Sequence, residues 1–251
     1  MKTSRLLLSL LFAYPLFGYA DFKDGGDAYI NGDYETAANE FIPLAERGDH
    51  RAMYALGSMY SAGQGVEKNL KKAYELFYEA AKNGRADAMH KLGLMYEQGT
   101  GVKQNNKKAL RYYQKSAKLG YSLAQYNFGL MYMNGTGVKQ NPVKAYAWLV
   151  VAAHQFIYEY ASDEHVDIEN FKKHKKYYLL LVQQQEKDKI LNDITKHLQA
   201  IKANMSAADI EQTRQKVIKY SQYRWKHRPV RFKDVPIESD IENLFLPETL
   251  Y

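Results

Sequence analysis

Apolar residues recur along the chain in two helical registers that repeat as a block. A first stripe, Ala52, Leu56 and Tyr60, returns as Ala88, Leu92 and Tyr96 and again as Ala124, Phe128 and Tyr132. Spacing of four residues puts each trio on one helical face. A second stripe, Ala73, Phe77 and Ala81, returns as Ala109, Tyr113 and Ala117 and as Ala145, Leu149 and Ala153. Both recur every 36 residues, so segments 52–87, 88–123 and 124–156 superimpose without a gap. Self-similarity at this period is the mark of stacked supersecondary units. Each unit reads as helix, loop, helix.

The residues between the stripes sharpen that reading. Gly57, Gly93 and Gly129 sit within the first helices, where glycine costs about 1 kcal/mol against alanine. Their recurrence predicts a neighbouring helix that passes too close for a side chain. Gly63-x-Gly65-Val66, Gly99-x-Gly101-Val102 and Gly135-x-Gly137-Val138 form the loops. There glycine supplies the turn after the helix end, and the valine can drop back onto the core. Asn69, Asn105 and Asn141 are placed to cap the second helices, with Pro142 at a first helical position. Gly84 and Gly120 end those helices. One period upstream, Ala37, Phe41, Ala45 and Gly48 fit the second stripe, but a shorter turn around Gly32-Asp33 replaces the glycine loop.

The pattern A-x-x-x-L-G-x-x-Y-x-x-G-x-G-V-x-x-N-x-x-K-A resembles the Sel-one-like repeat (SLR) family, the longer-looped relatives of tetratricopeptide repeats. The likeness covers residues 52 to about 153, and 21–51 resembles a plain tetratricopeptide pair. The resemblance implies an all-α, right-handed α-solenoid with a helical C-terminal cap that serves as an adaptor for other proteins. Secreted bacterial members tend to serve envelope assembly, signalling or host interaction. A cysteine-rich subgroup is associated with β-lactam binding, but this chain has no cysteine. A cell-wall or β-lactam binding or hydrolysing role is therefore the alternative to the adaptor.

By analogy with tetratricopeptide units, one stripe of the first helices lines a concave groove for a protein or peptide partner. It comprises Tyr54, Ser58 and Ser61, then His90, Leu94 and Glu97, then Tyr126, Leu130 and Met133. Terminal repeats require capping, so the chain's own C-terminal segment could instead cover these positions. Residues 157–170 break the repeat and read as an insertion or turn. A helical extension, 157–226, is expected to place Leu191, Ile194, Leu198 and Ile201 on one face. Ser206 to Asp209 resembles a helix cap, opening a helix to about Trp225. The Pro-interrupted tail 227–251 is expected to be extended.

The N-terminus reads as a cleavable export signal: Lys2 and Arg5, an apolar run over 6–17, then Gly18-Tyr19-Ala20 before a cut after Ala20. The run falls short of the roughly 20 residues that span a bilayer. A periplasmic or secreted location follows as an expectation, and the mature chain would not span a membrane. Losing Lys2 and Arg5 from 35 basic residues leaves 33 against 28 acidic. That mild balance suits an envelope surface and does not point to nucleic acid.

The candidate chemical constellations do not assemble. The glycine pairs lack the third glycine or Gly-Lys-Ser/Thr of a phosphate loop. Asp163, Glu164, His165 and Asp167 with His174 have no metal-ligand spacing, and the run from Lys172 to Lys176 reads as a solvated face. His50, His90 and His154 have no paired nucleophile in sequence. No catalytic residue, metal or cofactor is expected.

Overall fold

The computed structural model describes residues 22–163 and 176–221, which form ten α-helices and no strand. The expected export signal, the 227–251 tail, the histidine-containing segment from Glu164 onwards and the run Lys172 to Lys175 lie outside the described residues. The chain divides into two compact units, with the boundary after Ala80.

The first unit holds α1 (Phe22–Asn31), α2 (Tyr34–Glu46), α3 (His50–Ala62) and most of α4 (Leu70–Lys82). Asp33 caps α2 by accepting from the Thr36 amide at 3.1 Å, and Asp49 caps α3 through the amides of Arg51 and Ala52. The buried core runs through Ala37, Phe41, Ala45, Ala52, Leu56, Ala73 and Phe77, the periodic positions of the sequence, and adds Met59. A Cβ on Gly57 would lie 3.0 Å from the Phe77 ring, and one on Gly65 would lie 2.0 Å from the Tyr34 carbonyl oxygen. The loop glycine is therefore seated on the start of α2.

The second unit continues with α5 (Ala86–Gln98), α6 (Asn106–Lys118), α7 (Ser122–Asn134) and α8 (Pro142–Asp163), followed by α9 (Lys176–Lys202) and α10 (Ala207–Ser221). Successive helices pack as antiparallel neighbours: α5 on α6, α6 on α7, α7 on α8. Gly93 meets the Tyr113 ring so closely that a Cβ would sit 2.4 Å from a ring carbon. Gly137 lies against the Asn106 carbonyl, where a Cβ would come within 2.6 Å, so the third loop rests on the start of α6.

The capping asparagines bond in two directions. Oδ1 of Asn69, Asn105 and Asn141 accepts from the amides of Lys72, Lys108 and Lys144 at 2.9–3.0 Å. Their own amides donate to the carbonyls of Tyr60, Tyr96 and Tyr132 at 2.9, 2.7 and 2.9 Å. One residue thus satisfies one of the free donors of a helix start and ties the loop to the helix before it. The same tyrosines carry Lys72, Lys108 and Lys144 over their rings, with Nζ 4.4–5.0 Å from the centroids.

The array ends differently from the sequence expectation. Residues 157–163 are not an insertion or turn; they continue α8. The reason lies one period after Gly84 and Gly120, where the repeat's stop glycine is replaced by Phe156, which is buried. With neither glycine nor proline after Pro142 in this helix, nothing interrupts it. Val143, Ala147, Trp148, Val150, Val151 and Phe156 are all buried, because α8 packs on α7 and also on α9 and α10. A helix apolar all round is one surrounded by protein. Trp148 stacks on Tyr220 of α10 at 4.4 Å between centroids, while Ile194, Leu198 and Ile201 form the buried face of α9. Ser206 and Asp209 make the reciprocal cap of α10.

Replacing Gly93 with alanine (G93A) is expected to destabilise the fold by about 2 kcal/mol, since the buried Tyr113 ring cannot yield without repacking. Placed on a Y113L background, the same change should cost less. Gly26, with nothing within 4 Å of an added Cβ, is the control: G26A should stabilise by up to about 1 kcal/mol. Thermal or urea unfolding of the set checks the ordering.

Candidate partner-binding site

Of the nine expected groove residues, none is fully exposed. Tyr54, Ser58, Ser61, Leu94, Glu97, Tyr126, Leu130 and Met133 are half-buried, and His90 is buried at 5 % exposure. The leading members of the rank lie against rings of other helices. Tyr54 packs on the Phe77 ring at 5.8 Å and His90 on the Tyr113 ring at 5.6 Å. In each case the ring is the one that faces the repeat's glycine, so the rank position leans on the helix seam.

Around His90 the seam becomes polar. Its imidazole also meets the Tyr121 ring at 5.2 Å, and Nε2 lies 3.0 Å from the Asn127 amide. Nδ1 is buried with no hydrogen-bond partner among the described residues. The Tyr113 hydroxyl donates to Glu97 Oε2 at 2.6 Å, and Asn127 bonds the same hydroxyl. Glu97, expected as a groove carboxylate, is thus committed to an internal bond between α5 and α6. Burial, then that bond and charge, push the Tyr113 hydroxyl strongly up from its ordinary value. The chain Glu97–Tyr113–Asn127–His90 links α5, α6 and α7. Phe77 and Leu149 stand at the positions equivalent to Tyr113, so only the middle repeat can build it. Sequence reasoning missed this network, although the hydroxyl of Tyr113 among those apolar equivalents was its visible trace.

In the third repeat the seam ring is replaced by Leu149, and a ring from elsewhere fills the place. His197 of α9 packs on Tyr126 with centroids 6.3 Å apart. Burial, then the nearby Asp193 of α9, raises the Tyr126 hydroxyl above its usual range. The chain's own C-terminal extension therefore meets the rank at Tyr126. Among the described residues no group of three or more His, Asp or Glu side chains is placed to hold a metal ion. No described helix is long and apolar enough to cross a membrane.

Burial, reinforced by Lys91 and opposed by Asp87, holds the His90 imidazole down to about 3. The unfolded chain would take up that proton near the ordinary value of about 6.5. Between the two values the unfolded state binds more protons, so stability is complete above about 6.5 and falls as pH falls towards 3. The expected loss from pH 6.5 to 5 is about 2 kcal/mol from this residue alone. H90Q should remove that slope while lowering stability at pH 7. Urea unfolding of both proteins at pH 7 and pH 5 measures it; equal slopes would show that His90 is not held neutral.

Comparison with known proteins agrees with this architecture. The model of the Sel1 repeat family matches three times, over residues 50–84, 86–121 and 122–155. A Sel1 repeat protein from Oxalobacter formigenes is 31% identical with a TM-score of 0.52, over 54% of this chain and 56% of its own. A protective antigen of uropathogenic Escherichia coli strains, displaying an SLR fold, is 21% identical with a TM-score of 0.49, over 79% of this chain and 51% of its own. The chain spans about half the length of these solved relatives. No curated protein matches it. The helix–loop–helix units within residues 50–155 are three Sel1 repeats.

Proposed function

We propose that the chain is an exported adaptor that binds a helical or extended segment of another protein along the first-helix stripe of its repeats. Sel1 repeats generally serve as protein-interaction scaffolds. The observation that carries the reading is a contact on the stripe of the third repeat, where Tyr126 packs against His197 of another helix, α9. Leu94 and Leu130 are half-buried members of the same stripe. Their partly exposed apolar surface gains from a partner that removes it from water.

A photoreactive residue at Leu94 is expected to crosslink a second polypeptide from the native envelope fraction, and the same probe at exposed Lys115 should not capture it. Crosslinks from Leu94 that run only into residues 176–221 of the same chain would sink the adaptor reading. Export is supported by Lys2, Arg5, the apolar run 6–17 and Gly18-Tyr19-Ala20. N-terminal sequencing of protein from the periplasm or medium should therefore begin at Asp21, and a product starting at Met1 would overturn the cleavage.

A further inference from the structure

The second and third repeats carry a charge asymmetry that the groove does not use. Residues 98–158 contain eight lysines and arginines and no aspartate or glutamate, against 35 and 28 over the whole chain. Five of the eight lie on α6. Lys107, Arg111, Lys115 and Lys118 recur at spacings of four, four and three, which places them on one helical face, and all four are exposed. The opposite face buries Ala109, Tyr113, Ser116 and Ala117. The fifth cation, Lys108, sits over the Tyr96 ring at 4.9 Å. The stripe extends about 16 Å along the helix. At its end stands Leu119, 51% exposed and the most exposed large apolar side chain among the described residues.

This arrangement is worse for the helix than alternating charge. Lysine in the first turn opposes the helix dipole, and α6 has no acidic residue there. Like charges at i,i+4, Lys107 with Arg111 and Arg111 with Lys115, repel one another. The last-turn lysines do complement the dipole, but that accounts for Lys115 and Lys118 only. A cationic face that carries such a folding cost points to an anionic partner.

Its composition selects among anionic partners. Three of the four cations are lysine, a strongly hydrated point charge, whereas specific carboxylate pairing and protein interfaces favour arginine. Binding single-stranded nucleic acid needs aromatic platforms, and Tyr112 is already stacked on Tyr96 at 5.6 Å. Leu119 gains nothing beside a polyphosphate chain but gains by entering a bilayer interface. We propose that this face of α6 docks on an anionic phospholipid bilayer, with Lys107, Arg111, Lys115 and Lys118 on the headgroup phosphates and Leu119 inserted among them.

The test is co-sedimentation of the full chain with phosphatidylcholine vesicles made with and without phosphatidylglycerol. The difference between the two lipids isolates charge from any binding through the apolar N-terminal run. Phosphatidylglycerol should enhance binding, and added salt should weaken that enhancement. The K107Q/R111Q/K115Q triple variant should lose the enhancement by about a hundredfold, with its circular dichroism unchanged. L119S should weaken binding to the anionic vesicles by a few-fold. No enhancement by phosphatidylglycerol, or an enhancement that survives the triple variant, would overturn the proposal. So would full binding by L119S, or binding to an acidic peptide or RNA without binding to the vesicles. If the triple variant unfolds, single K107Q and R111Q variants should each give a several-fold loss, and no loss in either would also overturn it.

Discussion

Where Gly93 faces Tyr113, a single added carbon would sit 2.4 Å from the ring, so the distance between α5 and α6 is set by what glycine lacks. Gly57 with Phe77 and Gly129 with Leu149 repeat the contact at 3.0 Å. Much follows from this closeness. The second-helix side chain is buried against the first helix, and its far edge becomes the surface on which the next residue of the seam must lean. Tyr54 and His90 occupy that place. The hydroxyl that distinguishes Tyr113 from its equivalents reaches Glu97 because the helices are near enough. Dispersion between many atoms at contact distance, individually small and collectively large, rewards the approach that helix propensity opposes.

The loops hold the same spacing at its other end. Gly65 and Gly137 approach the carbonyls of Tyr34 and Asn106 more closely than any side chain allows. Asn69, Asn105 and Asn141 each spend one polar group on the helix they start and another on the helix they follow. Side-chain entropy and loop freedom are lost once for two satisfied ends. This explains why the loop residues recur with the helix residues.

Most of the fold was legible because these constraints act on residue type. A glycine in a helix, an asparagine before one and an alanine every fourth residue each have few physical explanations, and repetition removes coincidence. The C-terminal face of Ile194, Leu198 and Ile201 and the cap at Ser206 and Asp209 were readable for the same reason. The end of α8 was not read, although Phe156 in place of the stop glycine was in plain view; the loss of a signal is less conspicuous than its presence. The groove was legible only as a register. Periodicity places Tyr54, His90 and Tyr126 on one stripe, but their burial depends on partners in other helices, Phe77, Tyr113 and His197, whose positions no local pattern encodes. Glu97 shows the limit best, since its carboxylate is committed to a hydroxyl 16 residues away.

Replacing the stop glycine with Phe156 also fixes where a partner could lie. A helix that stops at the usual glycine would leave its next face for a fourth repeat. Here α8 continues, turns its apolar circumference to α9 and α10, and is closed by Trp148 on Tyr220. Repeat arrays need such a cap, and this one is built from the last repeat's own helix. While packed on α8, α9 also brings His197 to Tyr126, where Leu149 has left no seam ring to lean on. The cap and the contact with the stripe are therefore one packing decision. A partner on the same stripe must bind short of Tyr126 or displace α9, and displacement would expose the buried face of Ile194, Leu198 and Ile201, at roughly 1.5–3 kcal/mol for each side chain returned to water. The proposed occupancy beside Leu94 would leave that face of α9 buried.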